Sequence, residues 1–107
     1  MSVSDDDIAH ALELFDGIGH LTTRKMMGGL CIYCDGTIFA IIHPHGGLML
    51  KGKGAFKDEL IAMGCAPWEF IRKDASPTAM PYWHMPESAL DDPDEARALA
   101  RRALEFL

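Results

Sequence analysis

The side chains of this chain best suited to chemistry are its thiols and imidazoles. Cys31-Ile32-Tyr33-Cys34 has the C-x-x-C spacing of thiol redox sites and of half a zinc site, with Cys65 standing apart. Both uses need the two sulfurs on one side. The apolar run around them predicts a strand, where residues i and i+3 point to opposite faces. Structural thiols are the expected reading, and metal or redox use of Cys31, Cys34, Cys65 or the histidines is the alternative. His43-Pro44-His45 falls at a predicted hairpin end, where an exposed turn is expected, although i and i+2 could share a face and collect a metal. His84 lies between Trp83 and Met85 with no nucleophile and orienting group spaced as a triad. No catalytic residue, resident metal or cofactor is therefore expected. The alternative is a small ligand-binding or metal-using enzyme with a pocket near Tyr82, Trp83 and His84.

Gly46-Gly47 and Gly52-Lys53-Gly54 match neither phosphate-loop pattern and read as turns. Arg24-Lys25, Lys51, Lys53, Lys57 and Arg72-Lys73 gather in the middle of the chain. They read as a solvated face or as an anionic or acidic-protein contact, for which Arg24, Lys25, Lys51 and Lys53 are the candidate residues. The methionines, among them Met26, Met49, Met63, Met80 and Met85, are expected as adaptable core fillers.

The elements that must position these residues follow from patterning. Ser4 begins a capping box ahead of Asp5, Asp6 and Asp7, and Ile8, Ala11, Leu12 and Phe15 recur at helical spacing, predicting a helix over 4–16 stopped by Gly17. Leu30–Cys34 and Thr37–His43 flank Asp35-Gly36, a type I′ hairpin turn signal. Leu48–Lys51 continues the meander, and Leu21–Met26 precedes it. Phe56, Leu60 and Met63 mark a short helix ended by Gly64. Trp68–Arg72 and Ala79–Met85 read as strands around a turn at 74–77, with Pro81 placing the last one at a sheet edge or a bulge. Asp92, Pro93 and Glu95 start a final helix whose Ala96, Leu99, Ala100, Ala103, Leu104 and Leu107 form an apolar stripe, with Arg97, Arg101, Arg102 and Glu105 on the wet face. The prediction is a single α+β domain of two layers: an antiparallel sheet of five or six strands with an N-terminal, a middle and a C-terminal helix.

The 107 residues carry 10 Lys plus Arg against 16 Asp plus Glu, a formal net charge of −6. Such a balance disfavours direct binding to a duplex, whose affinity comes largely from cationic side chains. No apolar run approaches membrane-spanning length, the N-terminus lacks a secretory pattern, and three cysteines make no disulfide framework. A cytoplasmic protein with reduced thiols is expected.

The stretch from Thr23 to Tyr33, reading Thr-Arg-Lys-Met-Met-Gly-Gly-Leu-Cys-Ile-Tyr and followed by Asp35-Gly36 and Phe39-Ala40, resembles the signature of the TfoX N-terminal domain. That signature is a basic residue, Met-Phe-Gly-Gly, an apolar strand and an Asp-Gly turn; Met27 stands at the usual Phe position. Leu48-Met49-Leu50-Lys51 resembles the family's leucine-bracketed strand. Met80-Pro81-Tyr82-Trp83-His84-Met85-Pro86 resembles its Met-x-Tyr-aromatic-x-x-Pro strand, and Asp92–Glu95 its last helix start. The resemblance runs in order along nearly the whole chain and makes Met26, Gly28, Gly29, Asp35, Gly36, Tyr82 and Pro86 motif positions.

It implies one such domain over residues 1–107. Competence regulators of the Sxy class carry a second, C-terminal helical domain that has no counterpart in these residues, so a stand-alone domain is expected. The resemblance further implies a non-enzymatic regulatory or protein-interaction module related to competence and transcription regulators. Its protein partner would be a transcription factor such as the cyclic-AMP receptor protein, with which the family's full-length regulators act. An unguarded sheet edge leaves a homodimer open.

Overall fold

The computed structural model describes residues 4–26, 29–43, 47–71 and 77–107. Ser4 is extended, and its hydroxyl accepts a hydrogen bond from the Asp7 N–H at 3.2 Å, so helix α1 (Asp5–Leu14) starts where predicted. The helix ends at Leu14, short of residue 16, and Gly17 turns the chain at φ +95°.

Strands β1 (Leu21–Met26), β2 (Gly29–Cys34), β3 (Thr37–His43) and β4 (Gly47–Lys51) form an antiparallel meander. Asp35 and Gly36 both take positive φ, 50° and 86°, as the type I′ turn requires. The Asp35 carboxylate accepts from the His20 N–H at 3.2 Å and the Asp35 N–H donates to the His20 carbonyl at 2.9 Å, extending the β1–β2 ladder by one step. Strands β5 (Pro67–Ile71) and β6 (Pro77–His84) complete one six-stranded sheet in the order β1-β2-β3-β4-β6-β5. β6 is therefore internal, which corrects the edge placement. The bulge half of that expectation holds: Glu69 faces Ala79 and Pro67 faces Trp83, so Pro81 sits where the pairing slips. The predicted turn at 74–77 lies mostly outside the described residues.

Helix α2 (Ala55–Ala62) buries Phe56 and Leu60, whereas Met63 lies just beyond it and is 46% exposed, against the predicted stripe. The reason is the helix end. Gly64 (φ +81°) donates to the Ile61 carbonyl and Cys65 to the Leu60 carbonyl, a Schellman closure that directs Cys65 rather than Met63 towards the core. A short helix, α3 (Glu87–Leu90), was not predicted; Pro86 precedes it. Its Ser88 hydroxyl donates to Glu95 at 2.9 Å, so Glu95 serves α3 while Asp92 alone caps helix α4 (Pro93–Leu104), accepting from the N–H groups of Asp94 and Glu95.

Ala96, Ala100 and Ala103 are buried along α4, and their small size brings the helix close to the sheet, where it meets β3 and β4. Between the layers Phe15 and Phe39 meet edge to face, centroids 5.0 Å apart. Phe39 takes this role because the β2–β3 register slips there: Ile32 faces Ala40 and Tyr33 faces Ile38, leaving Phe39 as the extra residue.

Candidate functional site

Strand alternation divides the sheet's apolar residues into two clusters. The larger joins Leu30, Ile32, Cys34, Phe39, Ala40, Ile42, Leu50, Trp83 and Met85 to buried residues of all four helices. The smaller holds Cys31, Ile41, Met49 and Tyr82, with Tyr33 and Ile38 against it, and contains no described helical residue. The cross-strand register lays this second face out as a grid. Arg24, Cys31, Ile41, Met49 and His84 stand opposite one another across β1, β2, β3, β4 and β6, and Lys51 stands opposite Tyr82 beside that row. Met49 is fully buried, which agrees with its expected role as a core filler.

Cys31 and Cys34 fall in different clusters, on opposite faces of β2. Burial raises the Cys31 thiol, with Arg24 pulling the other way; burial and then the Asp35 carboxylate raise Cys34; burial raises Cys65. All three are thus held in the neutral form, the opposite of a reactive thiolate. Among the described residues no three of His, Cys, Asp and Glu gather as a metal site requires. Tyr82 is pushed up to about 12, chiefly by burial and then by the Cys31 and Tyr33 groups near it.

The three residues of the alternative pocket, Tyr82, Trp83 and His84, do not share one face of the sheet. Trp83 packs in the larger cluster while Tyr82 and His84 lie on the other face, because successive strand residues alternate. A cleft of about 270 Å³ occurs elsewhere, between α1, the β3–β4 end and α3, lined by Asp7, His10, His43, Leu48 and Leu90 among others. Sequence reasoning missed it; the one signal was the i, i+3 spacing of Asp7 and His10 on the helix.

The candidate contact residues are not gathered into one patch. Arg24 and Lys25 are exposed on β1, Lys51 is half-buried at the end of β4, and Lys53 is exposed in the loop before α2. β1 and β4 are separated by two strands, about 14 Å at the usual spacing. The described ion pairs all involve Arg97 or Arg102, with Asp94, Glu59 and Glu105, so none holds these four bases. Strands β1–β4 carry Arg24, Lys25 and Lys51 and no acid, whereas α1 carries Asp5, Asp6, Asp7 and Glu13 and no base. Charge is therefore segregated between strands β1–β4 and the first helix.

Of the motif positions, Asp35 and Gly36 make the hairpin turn, Tyr82 anchors the second cluster, Pro86 precedes α3, and Met26 ends β1 opposite Gly29, which opens β2. Gly28 lies outside the described residues. No described helix is long and apolar enough to cross a membrane. The sequence model described as the TfoX N-terminal domain matches residues 13–107. No curated protein matches the chain.

Proposed function

We propose that this chain, which belongs to the TfoX N-terminal domain family, acts as a non-enzymatic protein-interaction module of regulatory type. The observation that carries this reading is the basic strand set β1–β4, whose Arg24, Lys25 and Lys51 are in no ion pair with a described acid. Cations not paired with any described acid remain available to a partner of opposite charge. The neutral, separated thiols support the non-enzymatic part. Three free cysteines suit a reducing cytoplasm.

A transcription factor such as the cyclic-AMP receptor protein is the partner this reading favours. Interferometry with the purified receptor protein, with and without cyclic AMP, tests it. Binding that weakens at least about tenfold on Lys51→Glu/Lys53→Glu, and with rising salt, is the expected result. Binding unchanged by that reversal removes the two lysines from the contact. No binding to the receptor protein, together with a duplex mobility shift by the chain alone at low salt, would replace the interaction reading with direct DNA contact.

A further inference from the structure

We infer that the outer edge of β1 is a docking site for an extended acidic segment of a protein partner, which adds to the sheet as a seventh strand. This rests on the interaction reading above and specifies its surface.

Among the described residues β1 ends the sheet and pairs on one side only, with β2, over six consecutive residues without a register slip. Its sequence, Leu-Thr-Thr-Arg-Lys-Met, contains neither proline nor glycine. The opposite edge, β5, begins with Pro67 and pairs irregularly with β6. A straight, unbroken edge is the template that strand addition uses.

The hydrogen-bonding direction of each β1 residue follows from the first pair. Asp35 donates to the His20 carbonyl, so His20 and Asp35 occupy a hydrogen-bonded pair position. In an antiparallel ladder such positions alternate. Thr22, Arg24 and Met26 therefore turn their N–H and C=O groups inward to β2, and Leu21, Thr23 and Lys25 turn theirs outward. Thr22, Thr23, Arg24 and Lys25 are all exposed.

Charge then selects the occupant. Arg24 stands opposite Cys31 on the face of the smaller cluster, and Lys25 stands opposite Leu30 on the face of the larger one. An added strand meets one base above the sheet and one below it, and two consecutive acids satisfy both because neighbouring residues project to opposite faces. A second copy of the chain pairing β1 antiparallel to β1 keeps each residue opposite one on its own face, and centred on Arg24 it would set Arg24 against Arg24 of the second copy, a like-charge arrangement that disfavours self-association.

The probe is a fluorescein-labelled, end-blocked peptide Thr-Val-Glu-Glu-Val-Thr, compared with Thr-Val-Lys-Lys-Val-Thr. Fluorescence polarisation should show salt-sensitive binding of the acidic probe and little of the basic one. Arg24→Glu/Lys25→Glu should weaken the acidic probe at least about tenfold. Thr23→Pro should do the same, since it removes an outward N–H while sparing the inward ladder. Circular dichroism checks that each variant is folded, and the double reversal serves should the proline variant fail. In amide exchange, protection should be gained at Leu21, Thr23 and Lys25.

Three results would overturn the assignment: no binding of the acidic probe, equal binding of both probes, or undiminished binding by folded Thr23→Pro. A dimer in sedimentation velocity that Thr23→Pro dissociates would also overturn it, making a second copy the occupant. If the probe fails while binding to the receptor protein persists and depends on Lys51 and Lys53, the interaction reading stands and this edge is excluded.

Discussion

Gly52 shows how a residue read as a turn former can be fixed by packing instead. A Cβ built on it would lie 2.8 Å from two carbons of the Trp83 ring and 3.0 Å from Leu60. The backbone passes directly against an aromatic side chain that anchors β6 in the larger cluster. Gly52→Ala should therefore lower stability by roughly 1–3 kcal/mol through overpacking. The urea midpoint should fall with the slope unchanged, and an unaltered midpoint would show that Trp83 shifts freely. Tyr82 gives a second residue-scale test. Its folded pKa lies above that of an ordinary tyrosine, so its contribution is fully present below about pH 10 and is lost as pH rises through about 12. Unfolding free energy should decline over that window, and Tyr82→Phe should flatten the decline. An identical alkaline profile in the variant would assign the loss to other groups.

At the scale of elements, α4 is held by more than its alanine stripe. Arg102 donates to Glu59 of α2 at 2.7–3.1 Å and pairs with Glu105, and its guanidinium lies 4.9 Å from the Phe106 ring centre. Arg97 donates to the Glu13 carbonyl at 3.3 Å, at the C-terminal end of α1, where a cation complements the helix dipole. The wet face read from the sequence is thus also the seam between helices. Glu59 is held below the usual glutamate range mainly by its hydrogen bonds to Arg102. The contribution of that bond is present above the ordinary glutamate pKa, about 4.3, and is lost as pH falls through the depressed value. The urea midpoint should drop with acidification across that range, and Glu59→Gln should remove this share of the pH dependence. A parallel acid profile for the variant would show that the tie between α2 and α4 carries no stability.

For the whole molecule, the radius of gyration of 13.2 Å matches the roughly 13 Å expected of one compact domain this size. The larger cluster includes residues from every described helix and from strands in the centre of the sheet, so the helices have no core apart from the sheet, and the sheet without them keeps only the small cluster of Cys31, Ile41, Met49 and Tyr82. Helix signal in far-ultraviolet circular dichroism and tryptophan fluorescence should therefore report one coincident denaturant transition. Two separated transitions would mean that the helices leave the sheet before it melts.

The sequence by itself determined the local structure: the Ser4 and Asp92 caps, the Asp35-Gly36 turn, the four-strand meander and the sheet-facing stripe of α4 all rest on interactions within a few residues. Its C-x-x-C geometry was legible for the same reason, since strand alternation alone separates Cys31 from Cys34. Tertiary structure decided what depends on residues distant in the chain. It placed β6 between β4 and β5 and left β1 at the edge. It tied Arg97 and Arg102 to α1 and α2, and set Gly52 against Trp83. The candidate contact residues divide along the same line. Their charge was visible in the sequence, but whether Arg24 and Lys51 share a patch depends on strand order. Strand order comes from long-range pairing, which no local pattern encodes.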